Sequence, residues 1–303
     1  MKATRDGFGE QLVESGRDNT DIIGLSADLG KATKIDKFGA AYPDRIFEMG
    51  IAENNMVGVA SGMSGYGYKV FLASFASFLT GKYDTIRCSI AYSNAPCVIV
   101  GTHCGMAIGK DGVTQMGLED ISLMRSLPGM TVLNPSTYNQ TRSAVKWLCE
   151  NDLENPYYLR LGRQPVAEHY SDDVKFEPGK GIVVREGANG AVFSTGCVLS
   201  DVLEATKDLD VSVIDMPTIK PLDKKIIKKY AKGSVFTVED HSIIGGLGSS
   251  VAEVIAEEGI SCKLHRIGLN DIFPESGLPA DLYDKYGLSS TKIAERISDG
   301  LDK

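Results

Sequence analysis

The sequence predicts an α/β protein of two domains, each a mainly parallel sheet covered by helices. Three observations lead there. Short apolar runs alternate with helix-like segments along almost all of the 303 residues. That length accommodates about two domains at roughly 150 residues each. A single polar stretch, Glu168 to Lys180, carries Asp172, Asp173, Pro178 and Gly179 and interrupts the alternation as linkers do. The expected division is a first domain over residues 1–168, a linker over 169–180 and a second domain over 181–303.

In the first domain, Ile22-Ile23-Gly24-Leu25-Ser26 reads as a short strand ending in Ala27-Asp28, and Arg45 to Met49 as a second. A small-residue helical stretch from Ala52 to Gly65 follows, ended by glycines. Lys69 to Ala73 is the third strand, Phe78 to Ala91 a helix, and Cys97 to Val100 the fourth strand. Met130 to Leu133 follows a helical segment. Ser136 to Cys149 is helical behind Pro135, and Tyr157 to Arg160 closes the series. The second domain has strand-like runs at 181–184, 191–194, 211–214, 235–238 and 262–267. Helices lie near 198–207 and 248–258. No short repeat or low-complexity tract is present.

Composition excludes several classes. Apolar residues make up 43% and charged residues 24%, a globular balance. Asp and Glu number 40 against 32 Lys and Arg, a net charge of -8, so nucleic acid and anionic lipid are not general partners. An anionic substrate would need a few locally placed arginines. No apolar run approaches the ~18 residues that span a bilayer, and the first residues lack an apolar signal core. The six cysteines show no CxxC spacing and the four histidines are scattered, so no metal site is expected, and reduced thiols in a cytoplasm are.

Ligands of parallel sheets sit beyond the carboxyl ends of the strands, which selects the strand-to-helix junctions. Glu53, after Gly50-Ile51-Ala52, is either a surface carboxylate favoured by a helix N-terminus or a partly buried carboxyl at the mouth of the sheet. Phe75 and Phe78, three apart, are either core or an apolar wall for a flat heterocycle. His103 follows the run Val98-Ile99-Val100 among small residues. Asp111 lies in the glycine-bracketed Gly109-Lys110-Asp111-Gly112, where a turn aspartate is the plainer reading. Arg5, Arg160 and Arg163 are surface charges or an anion grip. The Gly245 to Gly248 loop lacks GxGxxG spacing, and a stand-alone nucleotide-binding protein would rest on it alone.

The order of these segments carries more than any one of them. Ala3-Thr4-Arg5, Ser26-Ala27-Asp28-Leu29, Gly50-Ile51-Ala52-Glu53, Ser74-Phe75-Ala76-Ser77-Phe78, Thr102-His103 with Gly109-Lys110-Asp111-Gly112, and Leu161-Gly162-Arg163-Gln164 follow one another. The series resembles the C-terminal half of transketolase: its pyrimidine-binding domain followed by its C-terminal domain. Deoxyxylulose phosphate synthase shares Gly-Ile-Ala-Glu, while Ala-Thr-Arg and Thr-His point to transketolase. The family's Gly-Asp-Gly…Asn motif, which holds the thiamine diphosphate through Mg2+, has no counterpart here.

The resemblance implies the small-half subunit of a split transketolase that moves a two-carbon ketol unit from a ketose to an aldose. Thiamine diphosphate is the implied cofactor, with Mg2+ held by an N-terminal-half partner. A heterotetramer of two plus two is the implied assembly. Glu53 would bond the aminopyrimidine ring, Phe78 would stack on it with Phe75 beside, and Asp28 would lie near the cofactor. His103 would stabilise the oxyanion or hydroxyls of the donor, Asp111 would accept a sugar hydroxyl, and Arg5 and Arg163 would grip the far phosphate. Three positions depart from the family pattern. Gln115 replaces a second histidine, Ala32 a phosphate-binding serine and Gly81 an aromatic. They point to a ketose with a different distal end, such as a branched or sulfonated sugar. The alternatives are a deoxyxylulose phosphate synthase-like or 2-oxo-acid dehydrogenase-like subunit, or a non-catalytic partner chain.

Overall fold

Seven strands form the sheet of the first half, and their apolar runs explain it. The computed structural model describes residues 1–301. Across the sheet the order is Thr218–Lys220, Thr131–Leu133, Tyr157–Arg160, Val98–Thr102, Lys69–Phe75, Ile22–Ser26 and Ile46–Glu48. All neighbours are parallel except the first pair. Strands covered on both faces need apolar residues at successive positions. In Lys69–Phe75, Val70 and Leu72 enter one core while Phe71 and Ala73 enter the other, as a period of two requires. A second sheet of five strands has the order Cys262–Leu269, Gly233–Ser242, Ala191–Thr195, Ser212–Asp215 and Ile182–Arg185, with Ile182–Arg185 antiparallel. The apolar cluster under the first sheet continues into the second half through Phe193, Ile214, Val235 and Leu247.

The expected helix over 78–91 is broken. It forms Ala76–Thr80, then Tyr83–Thr85, then a π-helical turn over Ile86–Ala91. The hydroxyls of Ser61 and Ser93 both donate to the Ser89 carbonyl, drawing it out of the regular ladder. A long N-terminal helix, Thr4–Asp18, has no counterpart in the apolar pattern of the sequence. Its glycines dilute the apolar period, yet Gly7 and Gly9 are where the helix packs closely on neighbouring backbone. A Cβ there would lie 2.7 Å from the Tyr138 carbonyl oxygen and 2.5 Å from that of Lys34. Residues 169–180 hold no strand or helix. They are fastened near their start by Tyr170: the Asn139 amide donates to its carbonyl at 2.9 Å, and its hydroxyl donates to Asp215 at 2.8 Å.

Candidate active site

The register of the parallel strands sets one row of carboxyl ends. Glu48 pairs with Ser26, Ser26 with Ala73, Phe75 with Thr102, and Gly101 with Arg160. The candidate residues hang from this row.

Glu53 opens the helix Glu53–Gly65 and is buried, with 7% of its surface exposed. The Ser74 hydroxyl donates to its Oε1 at 3.3 Å. Among the described residues no other donor reaches this carboxyl, so it keeps bonding capacity for a ligand. Phe75 and Phe78 stack at 5.2 Å and 20°. The half-exposed Phe78 ring extends the buried Phe75 toward the same edge. The Ser77 hydroxyl is buried without a partner among the described residues.

His103 lies flat on Phe75, ring centroids 3.8 Å apart, and takes a left-handed backbone with φ 58°. Both its nitrogens are engaged. Arg5 Nη1 stands 3.0 Å from Nε2 and Thr102 Oγ1 2.9 Å from Nδ1. A guanidinium can only donate, so Nε2 is the acceptor and Nδ1 carries the proton toward Thr102. The Thr102 hydroxyl donates in turn to the Ser74 carbonyl at 3.3 Å. Serine 74 and threonine 102 therefore link Glu53 to Arg5, a role no sequence signal gave them. Burial first, then the cations of Arg5, Arg163 and Lys34, push the His103 pKa down to about 3. The unfolded ring takes up a proton near its ordinary 6.5. This residue's contribution to stability is therefore present above that value and is lost as pH falls toward 3. In 15N-histidine spectra we expect the His103 ring to stay flat between about pH 5 and about pH 8; a midpoint near 6.5 would refute the assignment.

Arg5 is half-buried at the start of its helix, and its Nη1 also donates to the Ala32 carbonyl at 2.7 Å. Its Nε is buried with no partner among the described residues. Arg163 donates to the Ile108 carbonyl at 3.0 Å and to Asp111 Oδ2 at 2.8 Å. Asp111 is exposed at the loop surface, where Arg163 pairs with one of its oxygens. Gln115 is half-buried in the turn Val113–Gln115, and among the described residues its carboxamide makes no bond. Asp28 is exposed in a left-handed turn with φ 60°. The Glu48 carboxylate fixes that turn, accepting from Asp28 N at 2.6 Å and Gly50 N at 3.0 Å.

Arg160 is not an anion grip. It is 2% exposed and its Nε lies 2.8 and 3.1 Å from the two oxygens of the fully buried Asp120. Its Nη2 donates to the carbonyls of Gly117 and Asp240, the latter in the second half of the chain. The residue joins the halves. The Gly245 to Gly248 loop is likewise absorbed: Glu239 accepts from Leu247 N and Gly248 N and caps the helix that follows.

The family model for the transketolase pyrimidine-binding domain matches residues 1–168, and that for the transketolase C-terminal domain matches 179–293. The chain belongs to the transketolase family. It is similar over its whole length to a Methanocaldococcus jannaschii protein that carries the name of a transketolase C-terminal section, 39% identical across 97% of that protein. It is 35% identical to a Clostridium sp. protein named 6-deoxy-6-sulfo-D-fructose transketolase subunit SqwH, over 95% of this chain and 91% of that one. A solved structure described as a split gene transketolase, inactive beta4 tetramer, aligns with a TM-score of 0.92 at 41% identity, covering 100% of this chain and 99% of that one. All six cysteines of this transketolase-family chain are free. Among the described residues no helix is long and apolar enough to cross a membrane.

Proposed function

We propose that this chain is the C-terminal-half subunit of a split, thiamine-diphosphate-dependent transketolase, active with an N-terminal-half partner that holds the diphosphate and Mg2+. The observation that carries this reading is Glu53, a buried carboxyl with free bonding capacity, held by the Ser74 hydroxyl at the strand end where Phe75 begins the stacked Phe75–Phe78 pair. These residues fit the pyrimidine half of the cofactor: an apolar wall for a flat ring, and a carboxyl for a ring nitrogen. Thiamine diphosphate, when bound, supplies the electron sink for transfer of a two-carbon ketol unit. Glu53 would share a proton with the ring nitrogen, Ser74 would hold Glu53 in place, and Phe75 and Phe78 would orient the ring and exclude water. Asp28, held by Glu48, would lie at the cofactor's edge. The partner's seat is supported by the outward face of the Glu53 helix. Asn54, Asn55, Gly58 and Gly62 are exposed there, and Ile51 ahead of them is 83% exposed. Two copies of each subunit, in a cytoplasm, complete the proposal.

At the other end, Arg5 and Arg163 would bind the anionic terminus of the ketose, with the unpartnered Arg5 Nε as one donor. His103 would stand beside that terminus and the sugar hydroxyls. Asp111 and Gln115 would meet hydroxyls once the substrate competes for Arg163. With Ala32 and Gln115 in the places of a serine and a histidine, the preferred donor would be a sulfonated ketose of the kind named for the Clostridium relative. The test is donor profiling of the chain reconstituted with its partner. The expected result is ketol transfer with a sulfonated ketose turning over fastest. Equal or better turnover of xylulose 5-phosphate would overturn the donor preference, and no ketol transfer with any donor would overturn the reading itself.

A further inference from the structure

The loop that follows His103, residues 105–115, carries Asp111 and Gln115 and lends the Ile108 carbonyl to Arg163. Its own secondary structure is two short 3-10 turns, broken at Gly109, where φ is 76° and ψ -111°. Such a segment cannot hold its shape by local bonds alone. What it rests on is the second half of the chain. The Asp240 carboxylate is buried at the end of the strand Gly233–Ser242. Its Oδ1 accepts from Met106 N at 3.0 Å, and its Oδ2 from the Tyr283 hydroxyl at 2.6 Å. The carboxylate sits so close to the loop that a Cβ at Gly105 would lie 1.9 Å from Oδ2. Further along, a Cβ at Gly109 would meet Pro279 at 3.0 Å, and one at Gly112 would meet Ser276 at 2.6 Å. The loop is therefore laid on the segment 276–283 along its length, with Asp240 as a polar pin from the second half at its root.

We propose that Asp240, held by Tyr283, is a positioning residue that sets the shape of the substrate-facing loop 105–115 from the second domain. The role rests on the functional reading above, because the loop's task is to present Asp111, Gln115 and the Arg163 contact to the ketose. Asp240 would act on substrate binding rather than on the chemical step, since it touches neither Glu53 nor the ring pair.

The experiment uses the full chain and its reconstituted complex with three variants. Asp240→Ala removes both bonds. Tyr283→Phe removes only the support, and serves if the alanine variant does not fold. Asp240→Asn keeps both bonds, its oxygen accepting from Met106 N and its NH2 donating to the tyrosine oxygen. Hydrogen exchange of the full chain should quicken at the Met106 amide by about tenfold or more in the first two variants and return to wild type in Asp240→Asn. In the complex, the donor KM should rise about tenfold with kcat changed less than about twofold, and Asp240→Asn should rescue it. Unchanged exchange in both Asp240→Ala and Tyr283→Phe would overturn the pin. Faster exchange with an unchanged KM would overturn its link to substrate. A wild-type complex without ketol transfer would overturn the functional reading alone, while the exchange data would still decide the pin.

Discussion

Replacing Glu53 with alanine should lower ketol transfer by the reconstituted complex by about 10²- to 10⁴-fold, the range for removal of a positioned proton-transfer group. The expectation follows from its surroundings. The carboxyl is buried, with one long bond from Ser74. Its loss therefore breaks no network that the fold depends on. Gel filtration should show the same assembly with the partner, and melting should move little. Glu53→Gln keeps the shape but cannot share a proton in the same way, so it should be nearly as slow as the alanine variant. Undiminished turnover in a correctly assembled Glu53→Ala complex would remove the catalytic assignment and favour a chain that only stabilises its partner.

The second large effect is on stability. Arg160→Ala should cost about 3–5 kcal/mol, because it leaves the Asp120 charge buried and unpaired. Asp120 and Arg160 are almost fully inaccessible and share two contacts near 3 Å. The Tyr158 hydroxyl also donates to Asp120 at 2.8 Å, and the buried His241 ring lies 3.9 Å from it; these would remain. The melting temperature should fall on the order of 10 °C. Arg160→Met combined with Asp120→Asn, which removes both charges, should recover much of the loss. A fall of less than about 1 kcal/mol for Arg160→Ala would show that the pair is not the junction described here.

What was legible in the sequence was the row of strand ends. Runs such as Val98-Ile99-Val100 fix where a parallel strand stops, and Glu53, Phe75, His103 and Arg163 stand at or just beyond such stops. Less legible was anything set by register between distant segments. Thr102 touches the Ser74 carbonyl only because two strands align with Phe75 opposite Thr102. Glu48 reaches two amides because Asp28 and Gly50 both turn left-handed. Arg160 and Arg163 look alike in sequence, three residues apart at one edge. Their fates differ because Asp120 waits beneath the first and the exposed Asp111 beside the second. The Thr4–Asp18 helix shows no apolar stripe in sequence because its glycines serve close contacts instead.

The strand Thr218–Lys220 belongs by position to the second half but completes the sheet of the first. It shields Thr131–Leu133, which would otherwise present unpaired backbone groups to solvent, an invitation to adhere to other chains. The two halves are thus not modules that could be separated at the polar stretch between them. Any engineering that swaps, duplicates or deletes the second half would have to carry residues 218–220 along or cap the exposed border in another way.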